Sequence, residues 1–423
     1  MDRFRIEGPC RMAGRVAASG AKNAALPALA ATLLARESLT LRRVPRVRDV
    51  GTMRRLLEHL GVRRESSGDG VLFFPARSDA PSDGLYDLVK TMRASVLVLG
   101  PLTARRGRAR VSLPGGCAIG VRPIDQHLAG LEALGAEVRL DHGYVETSAP
   151  GGLRGTRFRF AMPTVTGTEN ILMAAVLARG ETCLENCARE PEIENLAELL
   201  ILMGARIEGA GTPTIHVQGV DALGGGEGTV IPDRIEGGTY LIGGLLTGGD
   251  VTLERARPGD LEPLADQLAA VGAVVETGAD WIRVAHDGVL EGRDLETAPH
   301  PGFPTDLQAQ YMTLMTQARG TSRVRESIFE NRFQHAAELM RMGADVHVEG
   351  DLATVHGPTR LSGATVMATD LRASACLVLA GLVADGTTIV DRIYHLDRGY
   401  ESIEEKLGAL GCAVERIPGP PTP

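Results

Sequence analysis

The chain is 423 residues long, 43% apolar and 23% charged, with a formal net charge of −8. That is the balance of a water-borne globular protein with room for two or three domains. It excludes a general binder of nucleic acid, so a polyanion could be held only by a local basic cluster.

In chain order, the opening Met1–Gly8 is charged and lacks the apolar core of a signal peptide. From there one unit of roughly seventy residues recurs six times. Its mark is a helix end followed by glycine, at Gly61, Gly135, Gly204, Gly272, Gly343 and Gly411, with intervals of 74, 69, 68, 71 and 68. The third copy reads most plainly. Phe158–Ala161 alternate as a strand, Pro163–Gly167 make a loop, and Thr168 is read as the cap of a helix running to Ala178. Gly180 ends that helix. A strand over Glu181–Cys187 leads to Arg189-Glu190-Pro191, which opens a second helix stopping at Gly204. Strands follow at Ala205–Glu208 and Ile215–Gln218, so the unit is β-α-β-α-β-β. The other first helices are expected at Ala25–Leu34, Arg93–Leu102, Thr239–Leu246, Leu307–Gln317 and Arg372–Val383. Helices this apolar must be buried. The expected fold is α/β: two lobes of three units, each an inside-out barrel with helices inside and sheets outside. Residues 22–231 would form the first lobe, and 1–21 with 232–423 the second, with the active site in the cleft between them.

Each copy has loops leading into helix N-termini, where free N–H groups suit anions. Lys22, Arg93, Arg122, Arg332, Arg372 and Arg398 all fall in such loops. Singly, each reads equally well as an anion-site residue or as an ordinary surface residue or half of an ion pair. Six cations at comparable phases of six repeats point to a ligand with several negative charges, which guanidinium groups can grip in a bidentate way. Arg42, Arg43, Arg46 and Arg48 read instead as one solvated loop. The segment Leu113–Pro123 is unlike a packing segment, with glycines on both sides of Cys117. It reads as a loop able to change conformation, carrying an accessible thiol five residues from Arg122.

The six cysteines, at 10, 117, 183, 187, 376 and 412, have no framework spacing, which suits a reducing cytoplasm. Cys183 and Cys187 read as core thiols. No P-loop and no metal-ligand cluster is present, so neither cofactor nor metal is expected. His127 and His395 read as structural hydrogen-bonding residues. No run of eighteen apolar residues exists, so no membrane insertion is expected.

Taken together, Ser19-Gly-Ala-Lys22-Asn23, Leu113-Pro-Gly-Gly-Cys117, Arg189-Glu-Pro-Glu-Ile193, Pro232-Asp-Arg-Ile-Glu236, Phe303-Pro-Thr-Asp306, Phe329-Glu-Asn-Arg332-Phe333, Ala368-Thr-Asp370-Leu-Arg372 and Asp397-Arg398-Gly-Tyr400 resemble the enolpyruvyl transferases. The likeness runs from Phe4 to Val414. It implies phosphoenolpyruvate and UDP-N-acetylglucosamine as substrates, joined by addition–elimination through a tetrahedral ketal in peptidoglycan synthesis. The resemblance also implies the roles. Cys117 would protonate the methylene carbon or assist phosphate release, and Asp306 would take the sugar hydroxyl's proton. Lys22, Asn23, Arg93, Arg122, Arg332, Asp370, Arg372 and Arg398 would hold phosphoenolpyruvate and its phosphate, with Lys22 and Arg398 also catalytic. Asn23, Arg93, Arg122, Pro123, Asp125, Thr164, Val165, Asp306 and Ile328 would hold the nucleotide sugar. Fosfomycin would alkylate Cys117. Thr164-Val165-Thr166 departs from the family's frequent Ser-Val-Gly, which leaves the diphosphate contacts open.

Three other readings stand beside this one. A shikimate 3-phosphate enzyme would share the fold but lack the cysteine-bearing loop. A non-catalytic nucleotide-sugar binder would have lost some of Cys117, Asp306, Lys22 and Arg398. A repeat scaffold would not group its buried helices in threes.

Overall fold

The computed structural model describes residues 2–84, 86–89, 92–113, 123–286 and 288–419, with the backbone alone at 87 and 88. Its strands make six four-stranded sheets. In the third repeat, Arg157–Arg159 runs parallel to Glu181–Glu185, and a hairpin of Arg206–Glu208 and Thr214–Gln218 completes the sheet.

Six helices end in the same way. Gly61, Gly135, Gly204, Gly272, Gly343 and Gly411 all have φ between 88° and 110°. That left-handed conformation costs glycine nothing. The next residue then donates back to a leucine carbonyl: Val62 to Leu57, Ala136 to Leu131, Ala205 to Leu200, Ala273 to Leu268, Ala344 to Leu339 and Cys412 to Leu407, at 2.9–3.1 Å. The sequence period is thus a repeated helix stop that turns the chain into its hairpin.

The described chain divides into two compact units, residues 2–19 with 232–419 and residues 20–113 with 123–231. Three sheets belong to each. The N-terminal strand Arg3–Gly8 pairs with Gly386–Asp391 and Ala413–Ile417, and Ala13–Ala17 runs parallel to Asp250–Glu254. Gly226–Thr229 lies parallel to Leu39–Arg42 in the other unit. The sixth repeat therefore takes a strand from the chain's start, and the first takes one from residues far along it.

Within each unit the first helices of the repeats pack on one another inside the sheets. All residues of Gln308–Met315 are buried, as are Ile235–Leu246 and Arg372–Leu382. In the other unit Gly167–Ala175 are buried throughout. Close approach needs small residues here. A Cβ on Gly100 would stand 2.3 Å from the Asn170 carbonyl oxygen.

Several element boundaries differ from expectation. Thr168 does not cap the third repeat's first helix. That helix spans Val165–Ala175, and its N-cap is Thr164, whose hydroxyl accepts from Gly167 N. Thr168 is buried a turn later and its hydroxyl accepts from Ala188 N. Arg398 closes the short 3-10 helix Ile393–Arg398, and the segment after it leads into the helix Ile403–Ala409. The basic run is not one solvated loop: Arg42 ends a strand and pairs with Glu227, while Arg48 opens the helix Arg48–His59.

Candidate active site

In the unit of residues 2–19 and 232–419, Asp306 lies in the one-turn helix Thr305–Leu307, which runs straight into Gln308–Met315. Arg332 Nη2 donates to Asp306 Oδ1 at 2.7 Å, and Arg372 Nη2 donates to Oδ2 at 2.8 Å. The two guanidinium groups are 4% and 6% exposed, whereas the carboxylate is 27% exposed. Water therefore reaches the anion more readily than the cations that hold it. Burial works against the Arg372 charge, but Asp306, Tyr400 and Asp233 outweigh it and the net shift is upward. Arg372 is a fixed cation at any working pH. A carboxylate is an acceptor at both oxygens, the chemical type needed to take a proton from a hydroxyl.

The surroundings set this geometry. Asp370 caps the helix Leu371–Val383, its side chain accepting from Arg372 N and Ala373 N. Gln310 Nε2 donates to the Asp306 carbonyl at 3.1 Å and to the hydroxyls of Thr239 and Tyr400 at 3.1 and 3.3 Å. Glu326 is buried, with Oε2 accepting from Thr305 Oγ1 at 2.8 Å and Oε1 from Ile328 N and Phe329 N at 3.0 and 3.2 Å. One carboxylate thus ties the Asp306 turn to the segment carrying Ile328. Arg398 is half-buried beside Asp397, whose carboxylate holds Arg416.

In the unit of residues 20–113 and 123–231, Lys22 opens the helix Lys22–Ala31, and its Nζ lies 3.2 Å from Asp49 Oδ2 in the first turn of Arg48–His59. The groups are 12% and 7% exposed. Asn23 follows, half-buried. Arg93, which begins a 3-10 helix, donates to the Pro123 carbonyl at 3.0 Å. Asp125 opens the helix Asp125–Ala133 and is exposed.

That helix is pinned to the one beginning at Val165 by neutral hydrogen bonds. Gln126 Oε1 accepts from Ala161 N and Met162 N, at 2.7 and 3.3 Å. Asn170 Oδ1 accepts from Gly100 N at 2.8 Å, which fixes its amide. Asn170 Nδ2 must then donate to His127 Nδ1, 3.1 Å away. This assigns the histidine proton to Nε2, which donates to Thr166 Oγ1 at 3.3 Å. His127 is fully buried, and burial, reinforced by Arg93, pushes it down to about 3. It is a neutral spacer. The hydroxyl of Thr166 is its acceptor, which gives the Thr164-Val165-Thr166 departure a structural reason.

A family model described as EPSP synthase (3-phosphoshikimate 1-carboxyvinyltransferase) matches residues 6–407. The chain belongs to this family of enolpyruvyl transferases. It is 57% identical over 423 residues to a UDP-N-acetylglucosamine 1-carboxyvinyltransferase of Anaeromyxobacter dehalogenans (strain 2CP-C), covering 99% of this chain and 100% of the relative. A protein of the same name from Solibacter usitatus (strain Ellin6076) is 56% identical over 418 residues, covering 99% and 100%. Among solved structures, the enolpyruvyl transferase NikO from Streptomyces tendae superposes with a TM-score of 0.88 at 26% identity, over 99% of each chain. EPSP synthase from Acinetobacter baumannii gives 0.76 at 19% identity, covering 99% of this chain and 100% of that one, a likeness of fold.

The enolpyruvyl transferase chain therefore gathers Asp306, Arg332 and Arg372 through direct contacts, with Asp370 capping the helix that carries Arg372. It also brings Arg93 to Pro123. Cys117 and Arg122 lie outside the described residues. Among those described, no group of three or more His, Cys, Asp or Glu could hold a metal ion, and no helix is long and apolar enough to cross a membrane. Reasoning from sequence missed Glu326, Gln310, Gln126 and Asn170. Glu326 lies twenty residues from the Asp306 it supports and had no motif to mark it. Asn170 falls inside an apolar helix, where a buried amide was the available signal.

Proposed function

We propose that this chain transfers the enolpyruvyl group of phosphoenolpyruvate to the 3-hydroxyl of UDP-N-acetylglucosamine, releasing phosphate, as the committing step of peptidoglycan synthesis. The observation that carries this reading is full-length identity of 57% and 56% to relatives named for that reaction. The cysteine-bearing motif Leu113-Pro-Gly-Gly-Cys117 supports the same acceptor.

In this reading Asp306 takes the proton of the sugar hydroxyl as its oxygen adds to carbon 2. Cys117 supplies a proton to carbon 3, giving a tetrahedral ketal. Loss of a proton from carbon 3 and departure of phosphate from carbon 2 then restore the double bond. Lys22, Arg93, Arg122, Arg332, Arg372 and Arg398 hold the substrate anions and the charge that develops on the leaving group. Asp306 shares Arg332 and Arg372 before substrate arrives, which supports a role in which incoming anions draw those cations and free its oxygens. Asn23 and Asp370 position phosphoenolpyruvate. Pro123, Asp125, Thr164, Val165 and Ile328 position the nucleotide sugar. The enzyme works in the cytoplasm on small molecules, with neither cofactor nor obligate protein partner.

Phosphate release from phosphoenolpyruvate, measured with UDP-N-acetylglucosamine and separately with shikimate 3-phosphate, tests the proposal. Turnover with the nucleotide sugar alone is expected, and turnover with shikimate 3-phosphate alone would overturn it. Cys117→Asp, which keeps an exchangeable proton, should retain activity and escape alkylation by fosfomycin. Cys117→Ala should lose most activity.

A further inference from the structure

Outside the residues assigned above, two cysteines at opposite ends of the chain meet. The strands Arg3–Gly8 and Ala413–Ile417 form an antiparallel ladder that pairs Glu7 with Ala413. Past the end of that ladder the two backbones stay together. A Cβ on Gly411 would stand 3.6 Å from the Arg11 carbonyl oxygen, and Ala13 N donates to the Leu410 carbonyl at 3.0 Å. Pinned on both sides, Cys10 is set opposite Cys412. Both pack on the same apolar core, Cys10 half-buried and Cys412 only 4% exposed.

Cys412 occupies the residue after the helix-stopping glycine, a place filled by valine once and alanine four times in the other repeats. A thiol there packs as well as alanine or valine, and packing alone would explain a single cysteine. It does not explain a second thiol set against the first. The two thiols influence each other, which lowers the pKa of Cys10 against its partial burial and, together with burial, raises that of Cys412. The more accessible thiol is thus the better nucleophile.

We propose that Cys10 and Cys412 are a reversible oxidation site, joined as a disulfide when the enzyme meets a peroxide. The Cys10 thiolate attacks one oxygen of hydrogen peroxide, the O–O bond breaks and hydroxide leaves, giving Cys10 sulfenic acid. The Cys412 sulfur then attacks the Cys10 sulfur. The S–O bond breaks, hydroxide departs with the proton of Cys412 as water, and the S–S bond forms. Two thiols lose two electrons in total, and the peroxide is reduced to two waters. The bond closes nearly the whole chain into a loop, the case in which a cross-link removes most entropy from the unfolded state. Oxidised enzyme should therefore resist unfolding better than reduced enzyme.

The test is stepwise oxidation of the full chain with hydrogen peroxide, then tryptic mapping without reductant. Peptide 6–11 should appear linked to peptide 407–416, and dithiothreitol should release both. The melting temperature should rise with the linked fraction and fall back on reduction. Cys10→Ser should lose both the linked peptide and the rise, and should match the reduced wild type in activity. Cys412→Ala, which restores the residue of the other repeats, is the second control, expected to fold and to leave Cys10 open to further oxidation. Oxidation of Cys10 to sulfinic acid while Cys412 stays a thiol would overturn the proposal. So would a link from Cys10 to any other cysteine, or a linked protein that melts no higher than the reduced one.

Discussion

The surroundings of Asp306 and of His127 are ordered by opposite means. Around Asp306 the partners are charged: one carboxylate, partly reached by water, lies between two nearly buried guanidinium groups. Around His127 they are neutral, a chain from Gly100 N through Asn170 and the imidazole to Thr166. A charged cluster can be pulled apart by an arriving anion, because that anion replaces the lost partner. A buried neutral chain has no such substitute and holds its shape. The first arrangement suits groups that must act on substrate, the second suits a frame.

The largest break in this contrast should come from Asp306→Ala. Turnover should fall by roughly 10²–10⁴-fold, the usual size of a general-base contribution, measured as phosphate release at saturating substrates. The same change leaves Arg332 and Arg372 facing each other without their shared anion. Removing one partner of a buried pair typically costs about 3–5 kcal/mol, and exposure of the Asp306 carboxylate puts this case toward the lower figure. A variant with wild-type turnover would remove Asp306 from the mechanism.

The neutral frame should show itself in pH dependence. His127 titrates near 6.5 when unfolded and at about 3 when folded. The unfolded chain therefore binds the extra proton as pH falls between those values. The stabilisation is complete above about 6.5 and is lost progressively towards 3. His335, pushed down to about 4 by burial with Asp370 opposing, adds to the same slope. Urea midpoints of His127→Gln between roughly pH 4 and 6.5 should fall less steeply than those of the wild type, by about one proton. Glu169 in the same unit has the opposite sign. Burial, with Glu192 and Glu190 nearby, raises it well above its usual range, and its Oε1 has no hydrogen-bond partner. Its contribution is lost as pH rises past the unfolded value, so Glu169→Gln should stabilise the protein at pH 7 and leave it unchanged near pH 4. An identical midpoint at pH 7 would mean that Glu169 keeps its charge in the folded protein.

Smaller effects should sharpen the comparison. Glu326→Ala strips an acceptor from Ile328 N, Phe329 N and Thr305, for a loss of about 1–3 kcal/mol. It should also raise the KM for nucleotide sugar more than it lowers kcat, and Glu326→Gln should recover most of both. Thr164→Ala should cost about 1 kcal/mol through the lost helix cap. Thr168→Ala should show no capping effect but expose the loss of its bond to Ala188 N, so the two threonines separate in a stability measurement with the helix signal followed by circular dichroism.

Local rules carried the repeat. A glycine after a helix and an apolar first helix are short-range features, and each recurs in the structure at its expected phase. The chemical types of the candidate groups were legible for the same reason, since a carboxylate or guanidinium announces its chemistry wherever it falls. Partners were not legible. Asp306 meets Arg332 and Arg372 across 26 and 66 residues, and Asp370 spends its carboxylate on a helix cap. Thr164 rather than Thr168 caps because the strand before it ends two residues earlier than alternation suggested.

The sequence by itself determined the six-fold period, the α/β class and the family, because these rest on glycine conformation, helix periodicity and motifs contiguous in the chain. Tertiary structure alone decided which charges neutralise which, which nitrogen of His127 carries the proton, and that Cys10 faces Cys412. Each of these depends on two backbones brought together by burial of a shared core, and no spacing along the chain encodes that distance.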